Sequence, residues 1–140
     1  FANKLWNISR FVLSNTADFS NDTEIEYSAR DKEILAEVQS VSKEVAGDIE
    51  AFRLYLAGEK AYHYVWDQLA ANILEESKPL LNGDDLKAKV ARQAVLCECL
   101  TSSLKLLHPF MPFVTEAVWQ RLPKEMRDTE MLMVAKWPTH

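Results

Sequence analysis

The sequence predicts an all-α protein, an up-and-down bundle of four main helices with a short fifth helix and an extended C-terminal tail laid against one side. Three observations predict it. Apolar residues recur every three or four positions along most of the chain. Only three glycines and five prolines occur in 140 residues, which leaves little for the turns of a hairpin-rich sheet. The length, with 48% apolar and 26% charged residues, is that of one globular domain with a single core.

The first helix is expected from Phe1 to about Leu13, ending in the polar run Ser14-Asn15-Thr16-Ala17-Asp18. Residues 16 to 50 hold ten acids against three bases. There the spacing of Ile34, Leu35, Val38, Val41, Val45 and Ile49 gives a second helix one apolar side and a solvated acidic outer face. A third helix is predicted over roughly Tyr55 to Lys78, with Ala61, Tyr62, Val65, Trp66, Leu69 and Ile73 inward, ended by Pro79 and the turn Asn82-Gly83. Tyr55 supplies no side-chain cap at its start. Asp84 or Asp85 can cap a fourth helix, whose stripe Leu86, Val90, Leu96, Leu100, Leu104, Leu107 runs to His108-Pro109. Pro112 suits the first turn of a fifth, Val118 and Trp119 point inward, and Pro123 closes it. Met131 to Ala135 read as extended. One core should gather Leu5, Ile8, Val12, Val65, Trp66, Leu69, Leu100, Leu104, Leu107 and Trp119.

Several function classes are disfavoured. No apolar run approaches the roughly 20 residues that cross a bilayer, and the N-terminus lacks the pattern of a signal peptide, so a cytosolic protein with no membrane partner is expected. Cys97 and Cys99 lie two apart in a helix, about 200° around it, and cannot easily bridge. His63, His108 and His140 are scattered, and no metal site is expected. Glu75 and Glu76 are adjacent but diverge by about 100° on a helix, so no acid–base pair and no catalytic residue is assigned. The chain begins at Phe1 already in helical register, which reads as a cut inside a larger protein.

The first helix carries the functional signal. Phe1, Leu5, Ile8 and Val12 share a narrow stripe, the expected buried face. Opposite it, Asn3, Lys4, Asn7, Arg10, Phe11 and Ser14 fall within about 120°. Amides, two cations and an aromatic ring side by side suit unpaired RNA: rings stack bases, amides and guanidinium groups bond their edges, and cations hold phosphates. No acid occurs up to residue 17, so in a chain of net charge −5 this helix is the favoured approach for a polyanion. Trp6, Trp66, Trp119, Trp137, His108 and Pro109 are assigned to structure.

The opening FANKLWNISRFVL resembles the segment that begins the anticodon-binding domain of valyl-tRNA synthetases, where Asn-Lys-Leu-Trp-Asn is followed three residues on by Arg-Phe. WDQLAANILEESKPLL is similar to the Trp-Asp-Glu-Phe helix of the valyl, leucyl and isoleucyl enzymes, and LLHPFMPFVTEAVWQRL to the motif that closes the same domain. MVAKWP looks like the short strand after it. The matches lie in order over nearly the whole chain. The resemblance implies one helical domain over residues 1–140 that receives a tRNA anticodon stem and loop, with the remainder of the synthetase in cis. It implies no cofactor here, and ATP with magnesium used by a separate catalytic domain. Contacts to the anticodon would fall on Lys4, Arg10 and Phe11, with Asn3, Asn7 and Ser14 beside them. Where many relatives have Asp-Trp-Tyr, this chain has Ala71-Asn72-Ile73, so contacts made by those rings are not carried over. Two alternatives stand beside this reading: the same domain of a leucyl or isoleucyl enzyme, and a protein-binding bundle that takes a basic partner on its acidic second helix.

Overall fold

The computed structural model describes residues 2–19 and 24–138; Phe1 of the expected buried stripe and His140 lie outside them. The chain forms α1 (Ala2–Asn15) and α2 (Ala29–Glu50), followed by a rod in which α3 (Leu54–His63) runs through a π-helical stretch (Tyr64–Ile73) into α4 (Leu74–Leu81). After it come α5 (Leu86–Leu107), α6 (Pro112–Arg121) and single 3-10 turns at Lys124–Met126 and Leu132–Val134. No strand occurs among the described residues.

Side-chain links fix the directions. Arg30 at the start of α2 pairs with Glu76 in α4 at 2.7 Å, so α2 and the rod are antiparallel. Lys4 meets Trp66 and Phe11 meets Lys78, so α1 runs parallel to the rod. Gln93, near the start of α5, donates to the Asn15 carbonyl at the end of α1, so those two oppose. The result is the expected up-down-up-down order, and α6 and the C-terminal turns cover one side.

Local chemistry explains most helix ends. Ser28 and Asp31 form a reciprocal capping box at α2, and Asp85 accepts from the Ala88 amide at α5. Pro112 occupies the first turn of α6. Gly83 follows the rod because a Cβ there would come within 2.9 Å of the Pro79 carbonyl. The rod begins without a side-chain cap, as Tyr55 suggests, and behind Phe52 at φ 62°, a left-handed conformation costly for a residue with a Cβ. The corner is held instead by Asp48, whose buried carboxylate pairs with Lys60 at 2.7 Å and Arg53 at 2.9 Å.

Lys60, with Arg53, holds the Asp48 carboxyl below its ordinary value of 3.8, against the opposing effect of burial. A depressed folded-state value stabilises above the unfolded value and loses that effect as pH falls through the folded one. Asp48→Asn should therefore lower the urea midpoint by a constant amount between about pH 5 and 7, and the gap should close below about pH 4. A gap independent of pH down to about pH 2 would show that the charge contributes nothing.

The core is centred on α5, which is buried nearly all round. Leu5, Ile8, Val12, Val65, Leu69, Leu100, Leu104, Leu107 and Trp119 are all within 2% of full burial, as the periodicity predicts. Trp66 is not, being 37% exposed. The reason is the π stretch, where the Leu74 amide reaches back five residues to the Leu69 carbonyl. Bonds of that span align residues five apart. Tyr64, Leu69 and Leu74 therefore share the buried side with Val65 and Ala70, while Trp66 and Ala71 turn outward. Tyr64, left out of the expected inward set, is fully inside.

Three further expectations are corrected. Leu86 is 72% exposed, because it is the first residue of α5 and projects beyond the core. The acidic side of α2 is not wholly solvated: Asp31 is buried against Arg92 at 2.9 Å, and Asp48 is buried at the corner. The tail is extended only at Met131 and Ala135. With no strand to pair with, the segment between bonds to itself, Ala135 to the Leu132 carbonyl at 2.9 Å, and anchors through the Leu132 amide to the Glu116 carboxylate at 3.0 Å.

Candidate nucleic-acid interface

α1 lies against α5 and α6 through Leu5, Ile8 and Val12. Its opposite side carries the six residues grouped by spacing, and the structure divides them in two. Asn3, Asn7, Arg10 and Ser14 are exposed and form a straight ridge at intervals of four, three and four residues. Lys4 and Phe11 are half-buried. Both sit at the edge of the arc nearest Ile8, and Phe11 is only about 60° from it on the helix, so they lean into the cleft toward the rod. Phe11 is thus not the freely exposed ring that the polar stripe around it suggested. It packs against the core, and the Lys78 ammonium stands 6.0 Å from its centre.

The ridge meets aromatic groups on both flanks. Toward α6, the Arg121 guanidinium lies 4.9 Å from the ring of half-buried Trp6. Toward the rod, the Lys4 ammonium lies 5.1 Å from the Trp66 ring. Tyr62, one turn before Trp66, is stacked on it with centroids 5.6 Å apart and planes within 16°. Each cation rests on a ring face, where the quadrupole attracts it weakly. Among the described residues no carboxylate lies within ion-pair distance of Lys4 or Arg10. Both cations thus remain available to an anion.

The C-terminal end of α1 is fastened from several sides. The Asn15 amide donates to the Phe11 carbonyl at 2.8 Å and the Thr16 hydroxyl to Val12 at 2.7 Å. Gln93 reaches from α5 to the Asn15 carbonyl and the Asp18 carboxylate. Hydrogen bonds from Gln93 and then Lys89 hold the Asp18 carboxyl below its ordinary range. These contacts set where the ridge stands on the bundle.

The remaining polar groups do structural work. Glu76 pairs with Arg30 and Glu75 with Lys78. His108 Nδ1 lies 2.9 Å from the Thr115 hydroxyl, joining the end of α5 to α6. Trp137 is half-buried and donates its indole N–H to the Ser42 carbonyl at 3.0 Å, tying the tail to α2. Both cysteines are free thiols, and burial pushes them up, Cys99 to about 12. Neither is a ready nucleophile. Among the described residues no three His, Cys, Asp or Glu side chains gather to hold a metal, and no helix is long and apolar enough to cross a membrane.

Sequence reasoning missed Tyr62, Trp66 and Lys78 as neighbours of the ridge. An aromatic pair four residues apart was visible at Tyr62 and Trp66, but the 3.6-residue pattern sent both inward.

Residues 31–140 match the family model described as the anticodon-binding domain of tRNA ligase. Over its full length the chain is 40% identical to the valine–tRNA ligase of Petrotoga mobilis, 41% to that of Clostridium acetobutylicum and 42% to that of Clostridium perfringens. In each comparison it spans 16% of the relative. α1 lies outside the family-model match but inside all three whole-chain matches.

Proposed function

Because the chain belongs to the family of anticodon-binding domains of tRNA ligases, we propose that it receives the anticodon stem and loop of valine tRNA. It does so within a cytoplasmic valine–tRNA ligase whose other domains use ATP and magnesium to activate valine. The observation that carries this reading is the ridge of α1. Asn3, Asn7, Arg10 and Ser14 offer edge-bonding groups in a line, flanked by Lys4, whose charge no carboxylate among the described residues neutralises. Arg10 presents a planar fork suited to a base edge or a phosphate, and Lys4 a point charge suited to a phosphate. The relatives named above are valine–tRNA ligases, which favours valine over leucine or isoleucine. A module that takes a basic partner on α2 is less well supported, because Asp31 and Asp48 are spent in buried ion pairs and Glu33 closes on Arg30.

The test is binding of the full-length enzyme to a valine tRNA transcript at rising salt, with and without substitution of the anticodon bases. Affinity should fall with salt and fall further when the anticodon is changed. Binding indifferent to the anticodon would overturn the proposal.

Phe11 gives a narrower check. Since its ring is half-buried, Phe11→Ala should cost roughly 1 to 3 kcal/mol of stability, less than the 3 to 5 of a fully buried ring. It should also weaken tRNA binding, and Phe11→Tyr should preserve most of both. Thermal unfolding and tRNA titration on the same two variants measure this. Unchanged binding by a folded Phe11→Ala protein would remove the ring from the interface.

A further inference from the structure

Lys78 is the cation that the last turns of the rod set against α1. Its ammonium stands 6.0 Å from the centre of the Phe11 ring, across the cleft between the two helices, and its charge is met by Glu75 at 2.8 Å on the same helix. We propose that Lys78 is a phosphate-binding residue on the far wall of the cleft: when RNA lies along α1, the ammonium leaves Glu75 and takes a backbone phosphate of the nucleotide beside Phe11. This deepens the proposed function and rests on it.

The kind of pairing separates Lys78 from the rod's other ammonium. Lys60 is committed to Asp48, whose side chain is 4% exposed, so giving up that contact would strand a buried carboxylate. The side chains of Lys78 and Glu75 are 48% and 62% exposed, and a surface pair of this kind is screened by water and holds only weakly. Exchanging it for a phosphate leaves Glu75 solvated. Phe11 supplies the second reason. Its ring is half-buried and leans into the cleft from α1, so the wall that offers a ring to a base faces a wall that offers a cation to the attached phosphate. Position along the cleft supplies the third. Lys4 precedes Phe11 by two turns, about 10 Å along the helix axis, so Lys4 and Lys78 serve different nucleotides. Each then displaces its own counterion, and their contributions to binding should add. Glu75 acts in the opposite sense, competing with the strand for the ammonium and repelling its charge.

The experiment titrates the full-length enzyme with a hairpin of the valine tRNA anticodon stem and loop between about 50 and 200 mM salt. Wild type is compared with Lys78→Met, Lys78→Arg, Glu75→Gln and Arg10→Ala. Methionine keeps an apolar stem beside Phe11 without the charge, and arginine keeps the charge. One released counterion is worth roughly five- to eightfold in affinity at about 0.1 M salt, so Lys78→Met should weaken binding by about that factor and lower the slope of log affinity against log salt by about one. Lys78→Arg should stay within about twofold of wild type, since a point contact to a phosphate needs the charge and not the shape of the head group. Glu75→Gln should bind about 1.5- to fivefold tighter. Melting temperatures are followed in parallel. If Lys78→Met binds as wild type with the same salt slope while Arg10→Ala is weakened, the phosphate contact is refuted and the anticodon reading survives. If neither is weakened, both fail. Weaker binding by Lys78→Met with an unchanged salt slope and a lower melting temperature would make Lys78 a packing residue beside Phe11 and overturn the proposal, as would weaker binding by Glu75→Gln.

Discussion

Arg92→Met is expected to destabilise the 140-residue chain by about 3 to 5 kcal/mol, because it strands a carboxylate in the interior. Arg92 and Asp31 are each only 3% exposed in their side chains and meet at 2.9 Å. The guanidinium also donates to the Ser77 hydroxyl at 3.0 Å, so one side chain joins α2, α4 and α5. Asp31 in turn accepts from the Ser28 amide, which makes the pair part of the capping box that begins α2. Removing the cation alone leaves the anion without its partner. Removing both, in Asp31→Leu with Arg92→Met, should recover much of the loss, less about 1 kcal/mol for the cap. Urea unfolding of the two single variants and the double one measures this. A single Arg92→Met variant within about 1 kcal/mol of wild type would show that water or rearrangement solvates Asp31.

The second large effect is on tRNA. Lys4→Ala and Arg10→Ala together should raise the barrier for aminoacylation by about 2 to 5 kcal/mol in kcat/KM for tRNA, each alone contributing about 1 to 3. ATP–pyrophosphate exchange with valine should stay at the wild-type rate, since the proposed function assigns that chemistry to other domains. The conservative exchanges separate the two roles. Lys4→Arg should restore most of the loss at that position if the contact is to a phosphate, whereas Arg10→Lys should fail if the contact is bidentate to a base edge. Lys4→Ala should also lower the salt dependence of binding by about one counterion. Equal losses in aminoacylation and exchange would mean that the substitutions damage the fold and not the interface.

How far the sequence could be read depended on which physical signal each element carries. α1 was legible because its buried stripe and polar ridge follow one undistorted 3.6-residue period, and Leu5, Ile8 and Val12 are buried as that period requires. α5 was legible as a helix but not as the centre of the bundle. Its buried polar residues hide the signal, for Ser103 bonds the Cys99 carbonyl and Gln93 bonds α1, so they enter the core without being apolar. The middle of the rod was misread because no residue type announces five-residue bonds, and the expected inward set, aligned on Leu69 and Ile73, took in Trp66 and left out Tyr64. The acids of α2 look alike in sequence. Only the fold shows that Arg92 faces Asp31 and that Lys60 faces Asp48. For the candidate interface, the ridge and Trp6 could be listed from one helix, but Tyr62 and Trp66 belong to the rod and needed its packing to bring them there.

The fastening of α1 at one end has a kinetic consequence. Asn15, Thr16, Gln93 and the Lys89–Asp18 pair all act on the last turn or just beyond it, whereas among the described residues the turn that carries Asn3 and Lys4 is held by the apolar contacts of Leu5 and Ile8 and by a cation resting on a ring. Openings of the helix should therefore begin at the Lys4 end and stop at the Ser14 end, like a lever pivoting at its base. Amides near Ile8 should exchange with solvent deuterium through small local excursions, and those near Asn15 only through openings that also disturb α5. An arriving RNA would then find the groups that search for it on the freer arm, and those that fix its register beside the pivot.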